Sequence, residues 1–235
     1  YPAKQGLATG ENARFVRQWW EVSNERVGRD LDSRDAAQAT GRRWFPYNKG
    51  GTPRPWYGRH DLVVNWEHDG AEIRVFGTEG GGRPRSRAQS TDYYFRPAVT
   101  WSKTGSSGAR FRLQPRGFIH DINGMSVFPS TEEARLNLLG YLNSALVRAG
   151  LDVLSPTMSY QIGDVARLPL VSGGDDATRV AELVRLEQSE LALEEVSPEF
   201  RSNALTSIAK STELSEIARM FLKESELRIN RVAEL

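Results

Sequence analysis

The sequence contains no cysteine, only three histidines and no tryptophan after residue 101. The missing cysteine excludes disulfides, thiolate chemistry and cysteine-based zinc sites. His60, His68 and His120 do not form an H-x-x-x-H pair, so they provide no metal-binding motif. No apolar run approaches the ~20 residues of a membrane-spanning helix. We therefore expect no metal site, no membrane partner and a reducing, cytoplasmic location.

Motifs for autonomous catalysis are also missing. The chain has no G-x-S-x-G hydrolase motif, and its glycine pairs lack the following Gly-Lys-Ser/Thr of a Walker A phosphate loop. Asp61 with Glu72 and Arg74 resembles a nuclease carboxylate pair, but an arginine stands where a lysine is needed. A metal-dependent nuclease is therefore an alternative that the sequence supports weakly, and we expect no catalytic residue in this chain.

The net charge of +1 conceals a strong asymmetry between the two halves of the chain. Residues 1–120 contain 20 Lys and Arg against 12 Asp and Glu, whereas residues 121–235 contain 11 against 18. Most of the cations in the first half are arginines, whose planar guanidinium suits phosphate and guanine better than an ammonium does. A basic half beside an acidic half indicates a polyanionic partner, unless the first half is simply richer in arginine.

Aromatic residues, glycines and cations are interleaved between Arg42 and Lys103, a stretch that contains four of the six tryptophans. Cations spaced along such a stretch predict contacts to phosphates, and polar side chains in loops can read base edges. The tryptophans themselves are better explained as core residues of a β-rich domain. The side chains expected to contact DNA are Lys49, Arg54, Arg83, Arg85, Arg87, Gln89, Lys103, Arg110 and Arg112, and Arg59, Arg96 and Arg116 extend the same pattern.

The first part of the chain is predicted to be rich in short strands. The β-branched and aromatic content of residues 13–22 predicts a strand, and Ser33 is expected to cap a helix over 34–40 that ends at Gly41. Further strands are predicted at 43–47, 62–66, 98–102, 109–114, 117–122 and 125–128. Asn123-Gly124 predicts a two-residue hairpin between the last two of these strands. Residues 69–76 predict one or two helical turns, and residues 77–90 a mobile loop.

The pattern becomes helical after Pro129. Ser130 and Glu133 form a predicted capping box for one helix that reaches about Ala149 and buries Leu136, Leu139, Tyr141, Leu142 and Leu146. Residues 150–171 predict turns and short strands. A linker is predicted at 172–176, followed by helices over 176–195 and 212–234 with a break at Ser197-Pro198. The seam of the last helix consists of Ala218, Leu222, Ser225, Ile229 and Val232.

Several ordered blocks resemble the target-recognition region of PglX-type adenine DNA methyltransferases of BREX phage-defence systems and their type IIG restriction–modification relatives. The blocks are KQGLATGEN at residues 4–12, WWEV at 19–22, WFPYNKGG at 44–51, WYG at 56–58, VVNWE at 63–67, RSR at 85–87, TDYYF at 91–95, TWSK at 100–103, GFI at 117–119 and QIGD at 161–164. The resemblance covers roughly residues 3–171 and is looser in residues 212–235. Residues 172–202 lack the Asp-Trp and Trp-Asp-Phe that usually begin the family's helical part.

The resemblance implies an α+β fold: a mixed or antiparallel, β-rich target-recognition domain with peripheral helices at residues 1–171, followed by a helical C-terminal extension at 172–235. It also implies that double-stranded DNA, the methyltransferase domain of the parent chain and other BREX subunits are partners. The family's S-adenosylmethionine loop and its Asn-Pro-Pro-Tyr/Phe motif, which holds the flipped adenine, do not occur here. We therefore expect no cofactor in this chain, with S-adenosylmethionine bound in a missing catalytic domain.

Two further expectations follow from the same blocks. Residues shared by enzymes that recognise different sites cannot select the sequence, so base reading is expected from residues 52–55, 77–84 and 104–116. The chain also has no initiator methionine, which predicts a fragment of something longer. An alternative function is a protein-interaction module whose acidic helical part, from residue 175 onward, docks another subunit of a defence complex.

Overall fold

The computed structural model describes residues 1–58, 60–105, 108–169 and 176–201, together with residues 216, 219, 222, 223 and 226. The fold is α+β, as predicted, with two four-stranded sheets and helices packed beside them. The strands are β1 Ala3–Lys4, β2 Val16–Gln18, β3 Trp44–Asn48, β4 Leu62–Asn65, β5 Ala98–Ser102, β6 Phe111–Gln114, β7 Ile119–His120 and β8 Gly124–Val127. The α-helices are α1 Asn12–Phe15, α2 Arg34–Ala39, α3 Glu67–Val75, α4 Glu132–Leu142, α5 Ala145–Leu154, α6 Ile162–Ala166 and α7 Ala177–Leu191.

The first sheet has the strand order β1-β8-β5-β6, and all its pairs are antiparallel. Trp101 of β5 lies opposite both Phe111 and Met125, so these three side chains share the face that packs against α4 and α7. One residue earlier, Thr100 lies opposite Arg112 and Ser126, and this second face is polar yet also buried. The sheet therefore buries both faces, one apolar and one hydrogen-bonded.

The second sheet has the order β2-β4-β3-β7, with β7 parallel to β3 and the other pairs antiparallel. Phe45, Val64 and Ile119 from three of its strands lie in one apolar cluster. Trp66 and Trp101 are 2% and 0% exposed. Trp44, Trp66 and Trp101 are thus core residues, as expected, whereas Trp20 is half exposed.

The predicted hairpin at Asn123-Gly124 is wrong. β7 pairs with β3 in the second sheet, whereas β8 pairs with β1 and β5 in the first. The chain crosses between sheets at this point, and Gly124 fits because a Cβ there would lie 2.1 Å from the carbonyl oxygen of Asn48. The dipeptide marks a close backbone approach instead of a two-residue turn.

The single strand predicted at residues 13–22 is also wrong in most of its length. The chain forms the short helix α1, then the three residues of β2, and then a 3-10 turn over Trp19–Glu21. Burial of Phe15 against Phe76 explains the helical turn, because ring centroids 5.1 Å apart anchor it to the core of the second sheet. Tertiary packing here overrides the β-propensity of the sequence.

The long helix predicted after Pro129 is two helices, and its cap is Thr131 instead of Ser130, since the Thr131 hydroxyl accepts from the amide of Ala134 at 3.1 Å. The break occurs because the side chain of Asn143 bonds both backbone groups of Phe111, at 3.0 and 2.8 Å. Ser144 then caps α5, which rotates Leu146 into solvent, where it is 60% exposed. The short strands predicted from residue 150 onward are wrong as far as residue 169, since α5 continues to Leu154 and α6 follows; residues 170 and 171 lie outside the described residues.

Helix α7 packs on α4 and joins the core of the first sheet through Val180, Val184 and Leu191. The break at Ser197-Pro198 and the helix α2 capped by Ser33 are confirmed. Most of the predicted linker at 172–176 and most of the predicted helix at 212–234, including Ala218, Ser225, Ile229 and Val232 of its seam, lie outside the described residues; the five described positions there are helical. In the described part of the chain, no helix is long and apolar enough to cross a membrane.

Candidate nucleic-acid interface

The segment from Gly6 to Gly10 lies between two groups of cationic loops. On one side the amide of Leu7 donates to the carbonyl of His120 at 2.8 Å. On the other, Ala8 and Arg87 exchange two backbone hydrogen bonds of 2.9 and 2.8 Å. Gly6 is required because a Cβ would lie 1.7 Å from the carbonyl oxygen of His120. The amides of Gly6, Leu7 and Ala8 are all hydrogen-bonded to backbone carbonyls.

The arginine loop at residues 83–87 is anchored at its centre and exposes its cations. The buried hydroxyl of Ser86 donates to the carbonyl of Ile73, and the amide of Arg85 donates to the carbonyl of Phe76 at 2.8 Å. Arg83, Arg85 and Arg87 themselves are exposed. Two residues further on, Gln89 donates from Nε2 to the carbonyl of Gly6 at 3.2 Å. The loop therefore presents three guanidiniums from a fixed backbone.

On the other side of the segment, the backbone next to Lys49 and that of Lys103 both contact Asn123. The amide of Lys103 donates to the carbonyl of Asn123 at 2.8 Å. A Cβ on Gly50, next to Lys49, would lie 2.6 Å from that same carbonyl oxygen. Gly50 has φ +81° and Gly51 has φ +103°, a left-handed pair that turns the chain sharply after Lys49. Both lysines are partly exposed.

We call Lys49, Arg83, Arg85, Arg87, Gln89 and Lys103 the cationic strip. Backbone contacts connect its members through residues 6–10 and 121–123, so cations distant in sequence share one region of the molecule. Five positive side chains in one region of the molecule suit contacts to the phosphates of a nucleic acid. Among the described contacts, none of these five cations forms an ion pair within 4.0 Å.

Buried ionisable groups contact the backbone segments that connect the members of the strip. The phenol of Tyr47 donates to Oδ2 of Asp121 and to the carbonyl of Leu7, while Oδ1 of Asp121 accepts from the amide of Asn123 at 2.6 Å. Burial raises the pKa of Asp121, which the hydrogen bonds from Tyr47 and Asn123 and the nearby charge of Lys49 partly oppose. Burial also lowers the pKa of His120 to about 3, so its ring is neutral at pH 7. These groups order the turn at residues 121–123 on which both lysines rest.

Three of the expected DNA contacts lie elsewhere. Arg112 is 1% exposed and belongs to the buried polar face of the first sheet, so its side chain is a structural group and not a surface contact. Arg54 points to helix α7, where its Nη2 lies 2.9 Å from Oε2 of Glu187. Arg110 packs beside α5, where burial and then the charge of Arg148 lower its pKa. Arg59 lies outside the described residues.

The two carboxylates of the nuclease alternative, Asp61 and Glu72, lie at opposite ends of strand β4. Asp61 precedes β4, whereas Glu72 binds Asn65 at the end of that strand, at 2.9 Å. A strand rise of about 3.3 Å per residue places the backbone of Asp61 about 13 Å from that of Asn65. Glu72 also pairs with Arg14 at 2.8 Å. Across the described residues, no three His, Asp or Glu side chains are grouped as metal ligands.

Sequence reasoning missed three residues that organise the strip, of which two are buried and the third, Asn123, is exposed. Asn48, Asp121 and Asn123 hold the two lysine turns, and none of them was singled out as a site residue. Asp121 was detectable only as a lone carboxylate in a basic region, since residues 93–120 contain no acidic side chain. Its burial depends on the contact with Tyr47, which is 74 residues distant in sequence.

Comparison with known proteins identifies long relatives of this chain. Over 168 residues it is 39% identical to the adenine-specific methyltransferase PglX of Lacticaseibacillus casei (strain Zhang), a match that covers 72% of the chain and 14% of that protein. Over 206 residues it is 30% identical to the adenine-specific methyltransferase BrxX of Escherichia coli O9:H4 (strain HS), covering 86% of the chain and 16% of that protein. No family model matches the chain.

The chain thus spans only about a seventh of the length of these curated relatives. The matches extend over most of its own residues and agree with the family indicated by the sequence blocks. This chain belongs, as a partial region, to the PglX-type adenine-specific methyltransferase family.

Proposed function

We propose that this chain is the DNA target-recognition region of a PglX-type BREX adenine methyltransferase. It binds duplex DNA and presents the target adenine to a methyltransferase domain elsewhere in the parent protein. The observation that carries this proposal is the cationic strip, in which three separate loops that carry five cations without an ion pair among the described contacts are linked by backbone contacts to residues 6–10 and 121–123. S-adenosylmethionine would bind outside these 235 residues, and no catalytic step is assigned to them.

Base reading in this proposal comes from the less regular loops beside the strip. Residues 52–55 adjoin Gly105, in the connection that precedes strand β6, since a Cβ on Gly105 would lie 2.5 Å from Cγ of Pro53. The amide of Trp56 also donates to the carbonyl of Phe111 at 2.9 Å. Lys49 and Lys103 stand at the beginnings of these two loops. Phosphate contacts from the lysines would therefore place both loops against the same part of a groove.

The proposal is tested by titrating the protein with a fluorescent DNA duplex at several salt concentrations. We expect measurable affinity at low salt that falls linearly on a log–log plot, with a slope of about −3 to −5 if most strip cations contact phosphates. The double variant Arg85→Ala with Arg87→Ala should bind less tightly, with a slope smaller in magnitude by about 2. Its fold should persist, because both side chains are exposed.

The matched control removes the same charge from another surface. Arg179 and Arg185 are exposed on helix α7, and their double alanine variant should retain wild-type affinity and slope. Equal loss in both double variants would mean that only net charge matters. Absence of duplex binding at low salt, or a flat salt dependence, would overturn the proposal.

A further inference from the structure

Both polar atoms of the Asn48 side chain make contacts with buried groups. Its Nδ2 donates to Oγ1 of Thr100 at 2.5 Å and to Oε1 of Gln114 at 2.8 Å. Its Oδ1 accepts from Nη2 of Arg112 at 3.0 Å and lies 3.4 Å from the amide of Gly50. Asn48 ends strand β3 in the second sheet, whereas the three other side chains lie in the first sheet. The amide therefore joins the two sheets where the Lys49 turn begins.

Arg112 determines which way this amide faces. A guanidinium only donates hydrogen bonds, so the atom of Asn48 that faces Arg112 must be the oxygen. That same oxygen faces the amide of Gly50, which also donates. With Arg112 removed, the oxygen of Asn48 would lose its shorter hydrogen bond, of 3.0 Å, and keep the 3.4 Å contact from the amide of Gly50. Burial of a charged side chain is costly unless its donors are hydrogen-bonded, and Arg112, at 1% exposure, directs one of these donors to Asn48.

The backbone of Asn48 is also bonded to the turn at residues 121–123. Its carbonyl accepts from the amide of Asp121 at 2.9 Å. Gly50 closely approaches the carbonyl of Asn123, to which Lys103 also donates its amide. The position of Lys49 relative to Lys103 is therefore fixed through Asn48 and Asn123. Arg112 acts at the buried end of this chain of contacts.

We propose that Arg112 is a positioning residue for DNA binding: through the side chain of Asn48 it fixes the Lys49 turn relative to Lys103, so that both lysines are held for phosphate contacts. The inference rests on the proposed function and deepens it. It assigns to a buried cation an effect that its charge alone would not exert, because a group 1% exposed cannot itself reach a phosphate. Its signature is energetic coupling between Arg112 and Lys49.

The test is a double-mutant cycle with Arg112→Met and Lys49→Met, followed through the salt dependence of duplex affinity. Lys49→Met should weaken binding severalfold at low salt and reduce the magnitude of the salt slope by about 1. Arg112→Met should give a similar change, and the double variant should bind no worse than about twofold below the weaker single variant. Such non-additivity is expected when both substitutions remove one contact.

A second cycle with Thr100→Val covers the case in which Arg112→Met does not fold. This nearly isosteric change removes an acceptor of Asn48 without altering charge, and it should also be non-additive with Lys49→Met. Val184→Ala is the control for general destabilisation, because Val184 lies on α7 in the apolar core. It should leave affinity and slope of the folded protein unchanged.

The outcomes separate this inference from the function on which it rests. Additive losses in the cycles, or wild-type binding in Arg112→Met, would overturn the positioning role while leaving DNA recognition intact. Wild-type binding in Lys49→Met, with binding lost in the Arg85 and Arg87 double variant, would do the same. Absence of duplex binding by the unmodified chain would overturn both.

Discussion

Arg54 donates from Nε to Oε2 of Glu187 at 3.0 Å, and its Nη2 lies 2.9 Å from the same oxygen. The pair joins the loop that follows the Lys49 turn to helix α7. Their side chains are 24% and 17% exposed, so both charges are largely withdrawn from water. Burial raises the pKa of Glu187, and the hydrogen bond and charge of Arg54 oppose that rise. The acidic half of the sequence therefore supplies counter-charge to a basic loop, in addition to any solvent-exposed role.

Glu187→Gln should lower the free energy of unfolding by about 1–2 kcal/mol, because it removes the nearest and most buried counter-charge of Arg54 and leaves only the more exposed Glu190 and Glu194, at 3.7 and 3.8 Å. Arg54→Met should cost a similar amount, and the double variant should be less destabilised than the sum of the two. Urea denaturation of the four proteins measures this coupling. Glu190→Gln is the control, since Glu190 is 54% exposed and 3.7 Å from Arg54, and it should cost under about 0.5 kcal/mol.

The same variants test whether Arg54 contacts DNA. If its role is structural, Arg54→Met should reduce stability while leaving the salt slope of duplex binding unchanged. If the salt slope of duplex binding were smaller in magnitude by about 1 in Arg54→Met and unchanged in Glu187→Gln, Arg54 would instead contact DNA. Additive stability losses would show that the ion pair contributes little.

The turn at Ser197–Glu199 is predicted to be pH-sensitive. Oε1 of Glu199 lies 2.7 Å from Nδ1 of His60, and Oε2 accepts from Ser197 at 2.7 Å. Burial would raise the pKa of Glu199, but the hydrogen bond and charge of His60, together with the bond from Ser197, lower it to about 2. A depressed carboxyl pKa adds stability above the ordinary value of 4.5, and that stability is lost as the pH falls from 4.5 to 2.

Glu199→Gln should therefore cost about 1–2 kcal/mol at pH 7, a value that allows for screening of a side chain 22% exposed. The difference between wild type and variant should shrink steadily below pH 4.5. Urea denaturation at pH 7, 5, 4 and 3 measures it. Glu79→Gln, at an exposed loop position, should show no such trend. A difference that stays constant with pH would assign the loss to packing instead of charge.

Local patterns in the sequence predicted much of the fold. Ser33 caps α2 as expected because capping involves only neighbouring residues. Strands rich in Val, Trp and Phe, such as Ala98–Ser102, formed where predicted because pleated, buried surfaces favour these side chains. The exposed Arg83–Arg87 loop was likewise identified from its polar, glycine-rich composition.

Other features depend on contacts that no local pattern encodes. Asn123-Gly124 resembles a hairpin turn, but the strands on either side pair in different sheets, which only the complete topology decides. Arg112 looks like its basic neighbours in sequence, and its burial results from alternation along β6 against a polar face. Asn143 divides a continuous helical pattern because the backbone of Phe111 lies within its reach. Site predictions based on charge alone therefore included a core residue.

Gly6→Ala provides a direct test of the tight junction beneath the cationic strip. An added Cβ would lie 1.7 Å from the carbonyl oxygen of His120, so the segment at residues 6–10 must move away from strand β7. We expect a loss of at least about 2–3 kcal/mol in urea denaturation, in the range of overpacked core substitutions. Because Leu7 and Ala8 bond the loops on both sides of this segment, DNA affinity of the remaining folded protein should fall too. Gly163→Ala is the matched control: it lies in helix α6 with no atom within 4 Å of the new Cβ, and it should be neutral or stabilise the fold by up to about 1 kcal/mol. Equal stability of the two alanine variants would contradict the close contact between Gly6 and His120, and wild-type DNA affinity in a destabilised Gly6→Ala protein would show that the segment does not order the strip.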